Sequence, residues 1–308
     1  MGAIIERTLL FLATIVLGYI LKRKGIIGVR ERSWISTLVF KLTLPATIIY
    51  GFGDFHPVPE LFLLSIFGFC GNWFMIGLGL LLTRNQTREA KIFYILNISG
   101  YNIGCFSMPF AQAIFGPAGI VATCMFDLGN SIMSTGGTYT FAKSLYPVDK
   151  NAGKPTLTMV LKNLVSSIPF DVYSTMMILA ILNVPVPRAL LTVLKPIASI
   201  NGYMSMLLLG LFLTFTTDTA KLKTISHLLV FKYVVAISCA LAAFFLSTFS
   251  MELRQVLFLV FLSPIPIICT IFTDDLGGNA ELASLANSVS IILSISMMMC
   301  GIFFLFNT

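Results

Sequence analysis

The feature that most limits what this chain can fold into is a series of long apolar stretches, each near the length that crosses a bilayer. A membrane helix needs about 20 mostly apolar residues. Ten such stretches are read, at roughly 4–21, 33–52, 60–82, 91–114, 118–142, 156–182, 189–215, 226–248, 252–273 and 280–305. Of the 308 residues, 11% are charged and 57% hydrophobic, against roughly 25% charged in a soluble domain. A soluble globule of this size has too little interior to hide that much apolar surface. A soluble enzyme, a nucleic-acid-binding module and a disordered chain are therefore excluded. The runs are also continuous, as in Leu61–Gly71 and Val256–Cys269, whereas barrel strands alternate in polarity over about ten residues. The chain reads as an all-α integral membrane protein.

The first stretch ends in Lys22, Arg23 and Lys24. A secretory signal carries its positive charges before the apolar run, so this one is expected to be a retained helix. Alternate loops differ sharply in basic residues. One set receives Lys22, Arg23, Lys24, Arg30, Arg32, Arg84, Arg88, Lys91, Lys143, Lys150, Lys154, Lys221 and Lys223. The other receives Arg7, Arg188, Lys195 and Arg254. The first set is expected to be cytoplasmic, with both termini outside, in the inner or plasma membrane. The six cysteines all fall inside apolar runs and read as small packing residues.

The longest polar connection, Ala142–Pro155, divides the chain into residues 1–142, a cytoplasmic linker at 143–155, and residues 156–308. Five spans per half is an odd number, so the second half inverts the topology of the first. The fourth span of each half carries helix breakers: Asn102, Gly104 and Pro109 in NIGCFSMP, and Pro264 and Pro266 in SPIP. Proline costs about 3 kcal/mol inside a helix, and in lipid the freed backbone groups need partners in protein or in a watery cavity. Paired interruptions at matching positions point to a transport site near the membrane midplane. Pro45 and Pro169 read as simple kinks.

Interrupted helices present free N–H groups and partial positive charge, suited to a carboxylate. Asn102 and Asn130 can add amide donors. Lys41, Lys162 and Lys232 are placed near span ends, where long side chains snorkel to water. The expectation is anion binding by dipoles and amides rather than by a buried cation. Asp127 is the deepest acid and a candidate site for a coupling ion, H⁺ or Na⁺, or alternatively a partner in a helix–helix hydrogen bond. Asp171, after Pro169, is a second candidate, or a cap on the segment that follows the proline. Asp274, Asp275 and Glu281 read as a solvated turn, or as a gate pairing with cytoplasmic lysines. No cofactor or metal is expected.

The run from Asn102 to Pro109 followed by Ile114-Phe-Gly116, the Leu44-Pro45-Ala46 triplet, Ser263-Pro-Ile-Pro266, and Asp275 through Ser284 together resemble the auxin efflux carrier family, in its short-loop bacterial type. Asn201 and Leu208-Leu-Gly210 also look like that family. The resemblance implies ten helices as a 5+5 inverted repeat, with broken crossover helices four and nine. Helices 1, 2, 6 and 7 would form a scaffold; helices 3–5 and 8–10 would form the transport domain. It implies a homodimer and carriage of organic anions, dicarboxylates or indole-3-acetate, with Asn102, Gly104, Pro109, Asn130, Asn201, Pro264 and Pro266 as substrate contacts. Ser107 stands where the family has glycine and Cys105 where an aromatic is common, so the substrate itself is not carried over.

The function expected is a secondary transporter of organic anions, malonate-like, malate-like or auxin-like, working by an elevator motion. Its partners are the substrate and the bilayer, with no nucleic acid. The alternatives are an anion channel, a transport-like receptor and, more remotely, an intramembrane protease.

Overall fold

A computed structural model describes residues 2–53, 55, 59–148 and 156–306. The described residues contain helices and loops and no strand. Lys150, Lys154 and most of the 143–155 linker lie outside the described residues.

The helices follow in order as α1 Gly2–Arg23, α2 Val29–Leu38, α3 Leu44–Gly51, α4 Pro59–Leu82, α5 Arg88–Ile98, α6 Met108–Ile132 and α7 Thr138–Leu145, then α8 Leu157–Val165, α9 Ile168–Ile181, α10 Arg188–Phe212, α11 Thr219–Leu246, α12 Met251–Phe261, α13 Ile268–Asp275 and α14 Ala280–Leu305. Three π-helical turns, Val39–Thr43, Ile103–Ser107 and Met133–Gly137, join α2 to α3, lead into α6 and join α6 to α7. Such turns are rare and concentrate at functional sites.

Among the described residues, five helical segments are long and apolar enough to cross a membrane: Val29–Gly51, Pro59–Leu82, Ile103–Leu145, Thr219–Leu246 and Ala280–Leu305. The pair Thr158–Val165 and Ile168–Ile181 makes a sixth if it is one span. This is a multi-pass membrane protein. The sequence reading of ten spans exceeds that number partly because two of them are interrupted. The fourth stretch breaks after the 11 residues of α5. The ninth breaks after the 11 residues of α12 and resumes as the eight of α13. Each piece is shorter than the roughly 20 residues a spanning helix needs. Pro169 occupies the first turn of α9, where the missing N–H would have had no helical partner, whereas Pro45 follows the π-turn inside the continuous segment Val29–Gly51.

The chain divides into two compact units, and each draws on both sides of the linker. Unit 1 comprises residues up to Leu63, Ile103–Leu128 and Ser167–Leu213. Its centre is the contact of α1 with α10. A Cβ on Gly18 would lie 2.4 Å from the Leu207 carbonyl oxygen, and one on Gly210 would lie 2.1 Å from that of Ile15. Only glycine permits backbones this close, the membrane device of small residues at helix interfaces. Within α6 the chain turns at Gly116 (φ 60°) and restarts at Pro117, and Gly119 packs against the Ala111 carbonyl.

Unit 2 comprises Leu64–Asn102, Gly129–Ser166 and the chain from Thr214 onward. Its 28-residue α11 starts at an Asp218 cap, whose carboxylate accepts from the Ala220 and Lys221 N–H groups. Gly129 lets its helix meet the Ser65 carbonyl of α4, and Gly301 fits under the Phe258 ring.

Candidate functional site

Two helix breaks lie in unit 2 and touch; of the residues the sequence marks at the first, Asn102 belongs to it, whereas Gly104 and Pro109 fall in unit 1. The first is Ser99–Asn102, between α5 and the π-turn; the second is Leu262–Ile267, between α12 and α13. The Asn102 N–H donates to the Pro264 carbonyl at 3.0 Å. Gly100 (φ 80°) sits against Pro266, whose Cγ would be 3.1 Å from an added Cβ. Both a left-handed backbone and a close neighbour therefore require glycine there.

A break in an apolar interior leaves backbone groups that must be paired. At the first break two amides do this. Asn72 accepts from the Gly100 N–H at 2.7 Å. Asn130 accepts from the Tyr101 N–H at 3.2 Å, donates to the Tyr101 carbonyl at 2.9 Å, and accepts from the Asn72 amide at 3.0 Å. The carbonyls that end α5 meet a cation. Lys232 Nζ donates to the Ile98 carbonyl at 3.0 Å and to the Gly100 carbonyl at 3.1 Å. It also lies 5.4 Å from the centre of the Tyr101 ring. Lys232 is 1% exposed.

This corrects the sequence reading of Lys232 as a snorkelling residue. The Asp218 cap starts α11 several residues before 226, so Lys232 falls at mid-helix rather than near its end. That position is the signal that reveals it. Lys41 and Lys162 are exposed, in keeping with their reading.

The second break is paired by neutral groups. Ser290 accepts from the Ile265 N–H at 3.0 Å, and the Asn287 amide donates to the Ile265 carbonyl. Tyr233, next to Lys232, donates to the Ser290 carbonyl at 2.7 Å. Pro264 and Pro266 have no N–H to satisfy.

Of the sequence-named residues in unit 2, Asn102, Asn130, Pro264 and Pro266 thus gather around one crossing. Asn130 is spent on the backbone. The side-chain amide of Asn102 has no hydrogen-bond partner among the described residues, although the residue is only 9% exposed.

Unit 1 holds the others. Gly104 lies in the π-turn against Leu44. Asn201 is fully buried and accepts from the Thr43 hydroxyl at 2.8 Å, while its Nδ2 finds no partner among the described residues. Asp127 is partly buried and lies within electrostatic range of Cys105 and Cys124. Asp171 stands in the first turn of α9, where the helix dipole favours a carboxylate. It lines a small cavity with Ile49 and Met176. Pro109 lines a larger cavity together with Arg7, Tyr50, Gln112, Lys195 and Tyr203.

Glu281 pairs with Lys221 at 2.6 Å in an exposed setting. No group of three or more His, Cys, Asp or Glu side chains among the described residues is placed to hold a metal ion.

Apolar membrane-length helices, two of whose neighbours are interrupted and hydrogen-bond at their breaks, define the class: a multi-pass membrane protein. The family model described as "Membrane transport protein" matches residues 3–302. The chain belongs to this auxin efflux carrier-like membrane transport family. It is also similar to an uncharacterized transporter of Methanothermobacter thermautotrophicus, at 25% identity over 134 residues, or 42% of this chain and 44% of the relative. The match thus spans less than half the length of that relative.

Proposed function

We propose that this chain is a secondary transporter of small organic anions that works by alternating access. The observation that carries the reading is Lys232. It is a fully buried cation at the middle of α11, set against the carbonyls where the interrupted α5 ends, with no carboxylate paired to it among the described residues. A charge at mid-helix in a membrane costs about 3 kcal/mol or more and is a functional candidate by default. Two carbonyl dipoles offset part of that cost, and a bound carboxylate offsets more. The free Asn102 amide at the same break supplies a neutral donor.

In this reading the ten sequence stretches form a 5+5 inverted repeat in the cell membrane, with both termini outside. Pro264 and Pro266, at the break that Asn102 pairs with, keep the substrate-contact role read from the sequence. H⁺ or Na⁺ is the coupling ion at Asp127 or Asp171, no cofactor takes part, and two copies pair as an elevator-type homodimer.

The test is uptake of labelled malonate, malate and indole-3-acetate into proteoliposomes, across pH and with or without Na⁺. Saturable uptake of at least one carboxylate is expected, falling tenfold or more, about 1.4 kcal/mol, in Lys232→Met and partly retained in Lys232→Arg. Wild-type uptake by Lys232→Met, or no carboxylate uptake by the native protein, would refute the reading.

A further inference from the structure

Unit 1 contains a cavity of ≈ 310 Å³ that the site above does not use. Its charge is one-sided. Arg7 of α1 and Lys195 of α10 both line it, and no Asp or Glu does among the described residues; Glu6, the neighbour of Arg7, is not part of the lining. Two cations that share a cavity repel each other, and with low-dielectric walls they make it a focus of positive potential.

The donors there have capacity to spare. Arg7 spends one Nη1 hydrogen on the Ala113 carbonyl at 3.2 Å, out of the five its guanidinium carries. That bond ties the guanidinium to Ala113, three residues before the Gly116 turn. The Lys195 ammonium and the Tyr50 and Tyr203 hydroxyls make no hydrogen bond among the described residues, and Lys195 makes no ion pair. Gly116 and Pro117 also face the cavity. The chain turns there at φ 60°. The wall facing them is aromatic: Phe11 meets Phe110 and Tyr203 edge-on, both at 5.4 Å.

We propose that this cavity is a second binding site, for a small carboxylate-bearing anion with an apolar or aromatic body. Arg7 and Lys195 hold the carboxylate, the tyrosine hydroxyls orient it, and the Phe11 wall receives the rest of the molecule. On the anion-carrier reading the cavity serves as a capture station on the side of the N-terminus. The binding itself does not depend on that reading.

The test reads the site without reading transport. The full chain in lipid nanodiscs is treated with phenylglyoxal, which modifies accessible arginines, and with an amine-reactive reagent. Modification at Arg7 and Lys195 is then followed by peptide mass spectrometry. Malonate, malate and indole-3-acetate are the probes, with inorganic phosphate and chloride at matched ionic strength as comparison arms. At ten times the dissociation constant, at least one carboxylate is expected to slow modification of Arg7 about tenfold, with chloride without effect. Lys195→Gln is expected to remove most of the protection at Arg7, and Arg7→Gln most of that at Lys195. Lys232→Met, which disables the proposed carrier, is expected to leave both intact. No protection by any carboxylate, or protection that chloride matches, overturns the proposal. Protection by phosphate alone overturns its commitment to carboxylates. Either result leaves the transport reading standing on its own assay, and loss of uptake with protection retained fails that reading while sparing this one.

Discussion

The two interrupted helices of unit 2 solve the same problem with different chemistry. At Ser99–Asn102 the loose backbone groups are held by two amides and a buried ammonium. At Leu262–Ile267 they are held by one amide and one hydroxyl, and two prolines remove the donors that would otherwise need partners. One break therefore carries a full charge and the other is neutral. The Asn102–Pro264 bond sets the neutral break against the one whose carbonyls Lys232 of α11 caps. Breaking a membrane helix does not by itself create an anion site. The choice of capping group decides whether a break is structural or electrostatic.

The largest test of this contrast is at Lys232. Lys232→Met leaves the Ile98 and Gly100 carbonyls without their donor, and hydrogen bonds to charged groups are worth about 1.5–3 kcal/mol each. Relief from burying the charge returns part of the loss. A net fall in thermal stability of about 2 kcal/mol is expected in detergent, together with the loss of uptake given above. If stability falls and uptake does not, the first break is as structural as the second.

Next come the amides. Asn130→Ala removes bonds to both backbone groups of Tyr101 and to Asn72, and should cost about 2–4 kcal/mol. Asn287→Ala removes the bond to the Ile265 carbonyl, and about 1–2 kcal/mol is expected. Thermal unfolding of the two variants ranks the breaks, and an equal or reversed order would mean that the first is not the more heavily clamped. Gly100→Ala should cost about 1–2 kcal/mol, because the left-handed backbone disfavours a side chain and Pro266 stands 3.1 Å from the new methyl.

The breaks were legible in the sequence because Gly, Asn and Pro in a continuous apolar run have no other comfortable role. Their partners were not. Asn72 is a single amide in an apolar stretch, with nothing local to say that it faces a broken backbone 28 residues away. Apolarity alone starts the span at 226 and puts Lys232 near its end, whereas the Asp218 cap begins the helix at Thr219. A shift of that size turns a central residue into an apparently terminal one. The spacing of Asn130 puts it in the right region as an amide donor but carries no sign that Tyr101 engages it. The cavity of Arg7 and Lys195 was out of reach, since its lining comes from α1, α3, α6 and α10 and no periodicity links them.

The smallest expected effect belongs to the one ion pair seen among the described residues. Lys221 and Glu281 meet at 2.6 Å, but Glu281 keeps 63% of its side chain exposed. Exposed pairs are worth about 0–1 kcal/mol. Glu281 also sits in the first turn of α14, where the helix dipole adds about 0.3–1 kcal/mol at low salt. Glu281→Gln should therefore lower stability by about 1 kcal/mol at most. The difference should shrink further as ionic strength rises and the Debye length falls below about 8 Å. Uptake should be unchanged. A large loss of uptake, persisting at high salt, would make this pair a gate. The charge that matters would then lie beyond the second break as well as at the first, and the contrast between a charged and a neutral break would no longer account for the proposed anion site.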